Sequence, residues 1–255
     1  MEPGLLHYVL AAIAAYVGEM FGSIFGGGSF VIQPALLALG TPPRVAVAND
    51  VAAAAFSTLF FFLAVSRRQV INKDAAVWMG PAMIAGIYLG GLVLTHIPES
   101  AVGWIVLAIC CAGLLHTLYH LKYPAPDGDI GGKPLRHWRA PAFLMALALG
   151  VYDGISGAGS GILFILCVGF LFRRNMKATL ATASALSVLA EGAAALNFWR
   201  LGLLDGKLLL VMIPACSLAG LTGAKIVHSV PEKALRIAFA CVISALIAYL
   251  AAARF

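Results

Sequence analysis

The sequence predicts an all-α polytopic membrane protein made of two homologous halves, and three observations carry that reading. Of the 255 residues, 62% are hydrophobic and 11% are charged, with a mean hydropathy of +0.95; soluble globular domains carry roughly 25% charge. Apolar runs recur at 5–25, 45–65, 75–95, 101–121, 140–157, 178–199, 208–227 and 234–253, about eight segments each long enough to cross ~30 Å of hydrocarbon. Finally, a shift of 133 residues lays the second part of the chain on the first without a gap, carrying Ser23 onto Ser156 and Gly26 onto Gly159.

Taken in order, the first run ends in "MFGSIFGGGSFVIQP", Met20 to Pro34, where Gly26, Gly27 and Gly28 interrupt it. Small residues let membrane helices pack closely, but three adjacent glycines cover every face of a helix and leave no single packing seam. A break fits them better, because non-helical backbone at membrane depth is tolerated where it is buried in protein or lines a cavity. Segment 5–39 is therefore expected as a helical hairpin, either re-entrant or as two tilted crossings, whose second arm of about 11 residues rises only ~16 Å. The N-terminus lacks the basic start of a cleaved signal peptide and is expected to be retained.

The same shift sets "SIFGGGSFVI" over "SGAGSGILFI", Arg67 over Arg200, Pro81-Ala82 over Pro214-Ala215, Gly90 over Gly223 and "IPESA" over "VPEKA". Alanine and leucine match by chance between apolar helices; glycine, proline and charged positions held in one register mark a duplication. Residues 1–121 and 140–255 form the two transmembrane repeats. The stretch 122–139, with three prolines and three glycines, reads as a cytoplasmic linker. Gly86, Gly90, Gly91, Gly220 and Gly223 follow the small-residue packing pattern.

Basic residues orient the halves, since cytoplasmic loops are enriched in Lys and Arg. If each half crosses an odd number of times, 13 Lys and Arg fall on one face and 4 on the other; an even number gives 10 against 7. Inverted repeats are the preferred arrangement, with both termini extracytoplasmic and the whole in the cytoplasmic membrane. The net charge of +6 is read as topology signal rather than nucleic-acid affinity. The five cysteines all lie in apolar surroundings, where cysteine behaves as a small hydrophobe.

The two glycine breaks, "GSIFGGGSFVIQPALLALGTPPRVAVAND" and "GISGAGSGILFILCVGFLFRRNMKATLATAS", together with the spacing of Pro81, Gly86 and Gly90, resemble the sulfite exporter TauE/SafE family of membrane transporters. The resemblance covers essentially the whole chain. It implies export or import of small anions, typically sulfite, organosulfonates or related sulfur and carboxylate compounds, with no ATPase domain. The chain departs from the usual pattern at Asn49-Asp50, where small hydroxyl residues are the rule, and an acid there would alter ion coupling or substrate.

Transporters use the N-terminal ends of broken helices to hold anionic groups, so the two breaks are expected to form the substrate site. Its candidate residues are Ser23, Gly26, Gly27, Gly28, Ser29, Gln33 and Asn49 from the first half, with Ser156, Gly157, Gly159, Ser160, Gly161 and Thr182 from the second. For each serine the competing reading is a hydroxyl bonded back to its own helix.

Four acids remain inside the runs: Glu19, Asp50, Asp153 and Glu191. Charge in lipid costs ~2.5–3.5 kcal/mol or more per group, and low dielectric favours the neutral form of a carboxylic acid. Proton coupling is the role expected of them, against a structural role with neutralising hydrogen bonds; Asp153 and Glu19 rank first. His116 and His120 lack a third metal ligand, no cofactor is expected, and no ATP-binding, protease or esterase motif occurs. The partners expected are a small anionic solute, protons and the bilayer. A cation or neutral-solute carrier, or a non-transporting accessory protein, are the alternatives to an anion carrier.

Overall fold

Where the sequence carries three glycines, one helix ends and another begins. The computed structural model describes residues 4–25, 27–66, 71–122, 138–172, 176–226, 237 and 240–248; Gly26 and the side chains of His116 and His120 lie outside that description. Among the described residues the chain is helical with no strand, and its long elements are α1 (Leu5–Phe25), α2 (Ser29–Ala38), α3 (Pro43–Ser66), α4 (Lys73–His96), α5 (Glu99–Lys122), α6 (Arg139–Ile155), α7 (Ser160–Phe172), α8 (Met176–Arg200) and α9 (Gly206–Ile226). Residues 240–248 are also helical. The 133-residue shift carries the first residue of α3, Pro43, onto that of α8, Met176, and the first of α4, Lys73, onto that of α9, Gly206.

α1 and α2 fold back on each other as a hairpin. A Cβ on Gly28 would stand 2.9 Å from the Gly18 carbonyl oxygen, and one on Gly22 would stand 2.9 Å from Gly28 Cα. Gly28 itself has φ −56° and ψ −40°, ordinary right-handed backbone, so closeness of the arms rather than backbone conformation demands glycine. The ten residues of α2 rise about 15 Å and are almost wholly buried in protein, which satisfies the rule that short or broken segments avoid lipid. The second break uses glycine differently. After α6, Gly157 and Gly159 take φ of +66° and +78°, a region that glycine reaches without steric penalty, and α7 then starts at Ser160. The Tyr152 hydroxyl donates to the Ala158 carbonyl across this turn.

Among the described residues, four helical stretches are long and apolar enough to cross a membrane: Leu5–Ser23, Pro43–Ala64, Lys73–His96 and Gly206–Ile226. Ser29–Ala38, Glu99–Leu115 and Ser160–Gly169 are apolar but shorter. The run expected over 140–157 is a helix of 17 residues, and half of 234–253 falls outside the described residues. Leu5, Leu6, Trp104, Trp199 and Leu210 are among the large side chains left exposed on the outer surface, as lipid-facing positions would be.

Helices from the two halves pack on each other: α1 on α9, α4 on α6, and α3 on both α8 and α9. The α4–α6 contact is the tightest. Gly86 faces the Leu147 carbonyl, Gly90 that of Val151, Gly150 that of Met83 and Gly154 that of Ile87. Two glycines four apart on each helix thus let the backbones touch. Because the facing residues ascend together, α4 and α6 run parallel.

The ends of α4 and α9 are built alike. Asn72 Oδ1 accepts the N–H groups of Asp74 and Ala75 (3.1 and 3.4 Å), and Asp205 Oδ1 accepts those of Lys207 and Leu208 (2.8 and 3.3 Å). Such caps satisfy the free donors of a helix start. At the opposite end of α4, Arg44 pairs with Glu99 (Nε to Oε1, 3.5 Å) and donates to the Ile97 carbonyl, tying the start of α3 to the turn before α5.

Candidate functional site

A cavity of about 80 Å³ lies where the two breaks meet, room for several water molecules or a small ion. The first residues of α2 and α7, Ser29 and Ser160, both line it. Further hydroxyls come from Ser23 on α1, Thr58 on α3, and Ser184 and Ser187 on α8; the carboxylates are Glu19 and Glu191. Gly22, Gly28, Gly157 and Gly161 supply backbone surface, and Ala54, Phe61, Ile165 and Ala183 complete the wall. Among the described residues, no Lys or Arg lines it. Two helix N-termini, each with partial positive charge, therefore share one hydroxyl-lined space with two carboxylic acids.

Local geometry explains the placements. Glu19 sits on α1 one residue from the close contact at Gly18, and a Cβ on Gly28 would come 2.5 Å from Glu19 Oε1, so the bare glycine makes room for the carboxylate beside the start of α2. Ser23 Oγ donates to the Glu19 carbonyl (2.8 Å) and lies 3.5 Å from Ser57 Oγ, combining the back-bonded role with a place at the cavity. On α8, Ser184, Ser187 and Glu191 fall at intervals of three and four residues and so share one helix face.

Behind the cavity a second polar cluster joins the halves. Gln33 Nε2 on α2 donates to Asp50 Oδ2 on α3 (2.9 Å) and to the Ser156 carbonyl at the second break, while Ser156 Oγ donates back to Gln33 Oε1 (3.3 Å). Asp50 Oδ1 and both oxygens of Asp153 are buried without a hydrogen-bond partner; Ser160 is the hydroxyl beside Asp153. Among the described residues, no group of three or more His, Cys, Asp or Glu is placed to hold a metal ion.

The model for the sulfite exporter TauE/SafE family matches residues 10–250. The chain belongs to the TauE/SafE family. It is similar to the "Probable membrane transporter protein ORF9" of Sinorhizobium, at 30% identity over 67% of this chain and 63% of that protein, so this match spans less than two thirds of the relative. It is also similar to a "Probable membrane transporter protein" of Haemophilus influenzae, 26% identical over 92% of this chain and 91% of that one. A third is the "Probable membrane transporter protein YfcA" of Escherichia coli K12, 26% identical over 92% and 86%. No solved structure matches. The protein is thus a multi-pass membrane protein of a transporter family and not an enzyme.

In this TauE/SafE member the expected residues separate into groups. Glu19, Ser23, Gly28, Ser29, Gly157, Ser160, Gly161 and Glu191 line the cavity. Gly27 accepts the Phe30 N–H at the start of α2, and Gly159 abuts the Phe30 ring. Gln33, Asp50, Ser156 and Asp153 lie buried nearby, outside the lining. Asn49 and Thr182 point elsewhere: Asn49 Oδ1 accepts the Asp205 N–H (3.2 Å), and Thr182 Oγ1 accepts the Asn72 N–H (3.1 Å). These two residues stand 133 positions apart and hold the corresponding helix caps. Thr58, Ser184, Ser187 and Gly22 line the cavity without having been singled out in the sequence. The repeat register would have found Thr58, since it falls on Glu191.

Proposed function

We propose that this protein is a secondary transporter that moves a small anion, a sulfite-like oxyanion or a short sulfonate or carboxylate, across the cytoplasmic membrane by alternating access coupled to protons. The cavity carries the reading. Two helix N-termini and six hydroxyls converge on it, and such groups replace the hydration of an oxyanion without a buried cation. An ionised Glu19 or Glu191 would repel that anion. Protonation removes the repulsion and adds a donor, so acid and anion are favoured together.

Inverted halves fit the helix directions. α3 and α4 are each 24 residues long, about 36 Å, and the six residues between them span only ~20 Å, so α4 must run back against α3. The two residues between α4 and α5 require the same reversal, and Gln33 bonded to Asp50 places α2 against α3 as a hairpin. α1 and α3 then point one way and α4 the other. Since α6 runs parallel to α4, it opposes its repeat equivalent α1. The charge bias puts the linker in the cytoplasm.

Purified protein in liposomes should take up labelled sulfite saturably and faster under a pH gradient, and Gly28→Leu, whose side chain would fill the space beside Glu19, should abolish uptake. The two carboxylates facing a cavity without a cation favour a second reading, a cationic substrate. Uptake of metal or organic cations with none of sulfite or sulfonates would establish that reading instead, and no flux across a broad panel would leave an accessory role.

A further inference from the structure

The four intramembrane acids are not equivalent by position. Asp50 is held by Gln33, and Asp153 lies behind the second break, so only Glu19 and Glu191 line the cavity. Glu19 is enclosed by its own hairpin, against Gly28. Glu191 differs: its Oε2 is buried and has no hydrogen-bond partner, and the group opposite it on α3 is Thr58.

Thr58 and Glu191 are the same position in the two repeats, and both line the one cavity. Equivalent residues that face each other stand on the pseudo-two-fold axis. When inverted halves exchange conformations, a group on that axis keeps its place at the centre, whereas a group off it exchanges surroundings with its equivalent. For Glu19 that equivalent is Tyr152, whose hydroxyl is bonded to the Ala158 carbonyl outside the cavity. Glu191 alone among the acids therefore faces the bound solute in both states of the cycle.

We propose that Glu191 is the acid that carries the coupled proton, one per anion, with Thr58 as its partner across the axis. The inference rests on the anion-carrier reading and on the inverted arrangement proposed for the halves. Glu191 takes one proton from water on the side to which the cavity is open, crosses the cycle as the neutral acid beside the anion, and returns that proton to water on the other side. The other titratable groups near enough to act on it electrostatically are Glu19 from α1, Asp50 from α3, Asp153 from α6 and the Cys216 thiol from α9, none of them a cation, so none supplies a fixed compensating charge.

The test uses the full chain in liposomes at zero membrane potential, with protein-free liposomes as the control for passive leak. Two quantities are read: exchange of labelled for unlabelled sulfite without a gradient, and accumulation under a pH gradient of one unit. One proton per singly charged anion gives roughly tenfold accumulation, because one pH unit is a tenfold ratio of proton activity. Glu191→Gln should keep exchange while its accumulation falls to about 1, and Glu191→Asp should restore accumulation, with Asp50→Asn and Asp153→Asn, at positions outside the lining, retaining it. Accumulation retained in Glu191→Gln, or lost equally in another acid variant, overturns the assignment. So does loss of exchange in both Glu191→Gln and Glu191→Asp, which marks a structural role. Absence of sulfite exchange in the wild type overturns the anion reading, and the assignment with it.

Discussion

Gln33 shows how a single side chain serves the site without lining it. It is fully buried, and its amide spends both ends on the other half or on an acid: Asp50, the Ser156 carbonyl and the Ser156 hydroxyl. Replacing it by leucine keeps similar bulk but strips partners from buried polar atoms, at about 1–3 kcal/mol for each one orphaned. Gln33→Leu should therefore lower the melting temperature in detergent clearly; an unchanged melting curve would mean the cluster bears no load. The sequence singled out Gln33, Asn49 and Thr182 as amide and hydroxyl groups near the breaks, and composition alone could not say where they point. Asn49 and Thr182 turn to the caps of α9 and α4, because a helix start entering the membrane region needs acceptors for its N–H groups as much as a solute does.

At the scale of elements, glycine does three separate things here. At Gly28 it lets two arms of a hairpin meet, at Gly157 and Gly159 it turns the chain through left-handed backbone, and along α4 and α6 it brings two helices to backbone contact. The first two were legible as breaks, from clustering and repetition. Their mechanisms were not, because adjacent glycines look alike whether they relieve steric crowding or permit positive φ. Gly150→Ala should push α6 off the Met83 carbonyl and cost about 1–3 kcal/mol, as overpacking does. Gly192, with nothing within 4 Å of a Cβ placed on it, is the contrast. Gly192→Ala should be neutral or raise stability by up to about 1 kcal/mol through helix propensity. Thermal unfolding of the two variants side by side reads the difference, and equal behaviour would contradict the packing described for α4 and α6. The cavity-facing stripe of α8 escaped the sequence reading for a related reason. Ser184 and Ser187 sit in an alanine-rich helix where hydroxyls are common, and only the spacing to Glu191 marks them as one face.

For the whole molecule, the paired contacts α1 on α9 and α4 on α6 interlock the halves, so the repeats are units of sequence more than separable bodies. The register that revealed them is long and gapless, and the helix starts keep it. Direction was harder to read, since 13 against 4 basic residues is a bias that holds only if the hairpin is counted as a return. Single cysteines at Gly40, Val70, Ile130 and Leu203, introduced into a cysteine-free background, test it directly. Positions 70 and 130 should react with membrane-impermeant reagent only from the cytoplasm, and 40 and 203 only from outside. Labelling of 70 and 203 from the same side would refute inversion, because those two positions are repeat equivalents.

The pairing of α1 with α9 also sets an order of events at the ribosome. About 180 residues separate the end of α1 from the start of α9, and at roughly 5–20 residues per second the first helix waits some ten to forty seconds for its neighbour to be synthesised. Through that interval the nascent chain holds Glu19 in the bilayer before α9 closes over that side of the bundle. Any insertase or chaperone that attends this protein has its longest task at the first segment made.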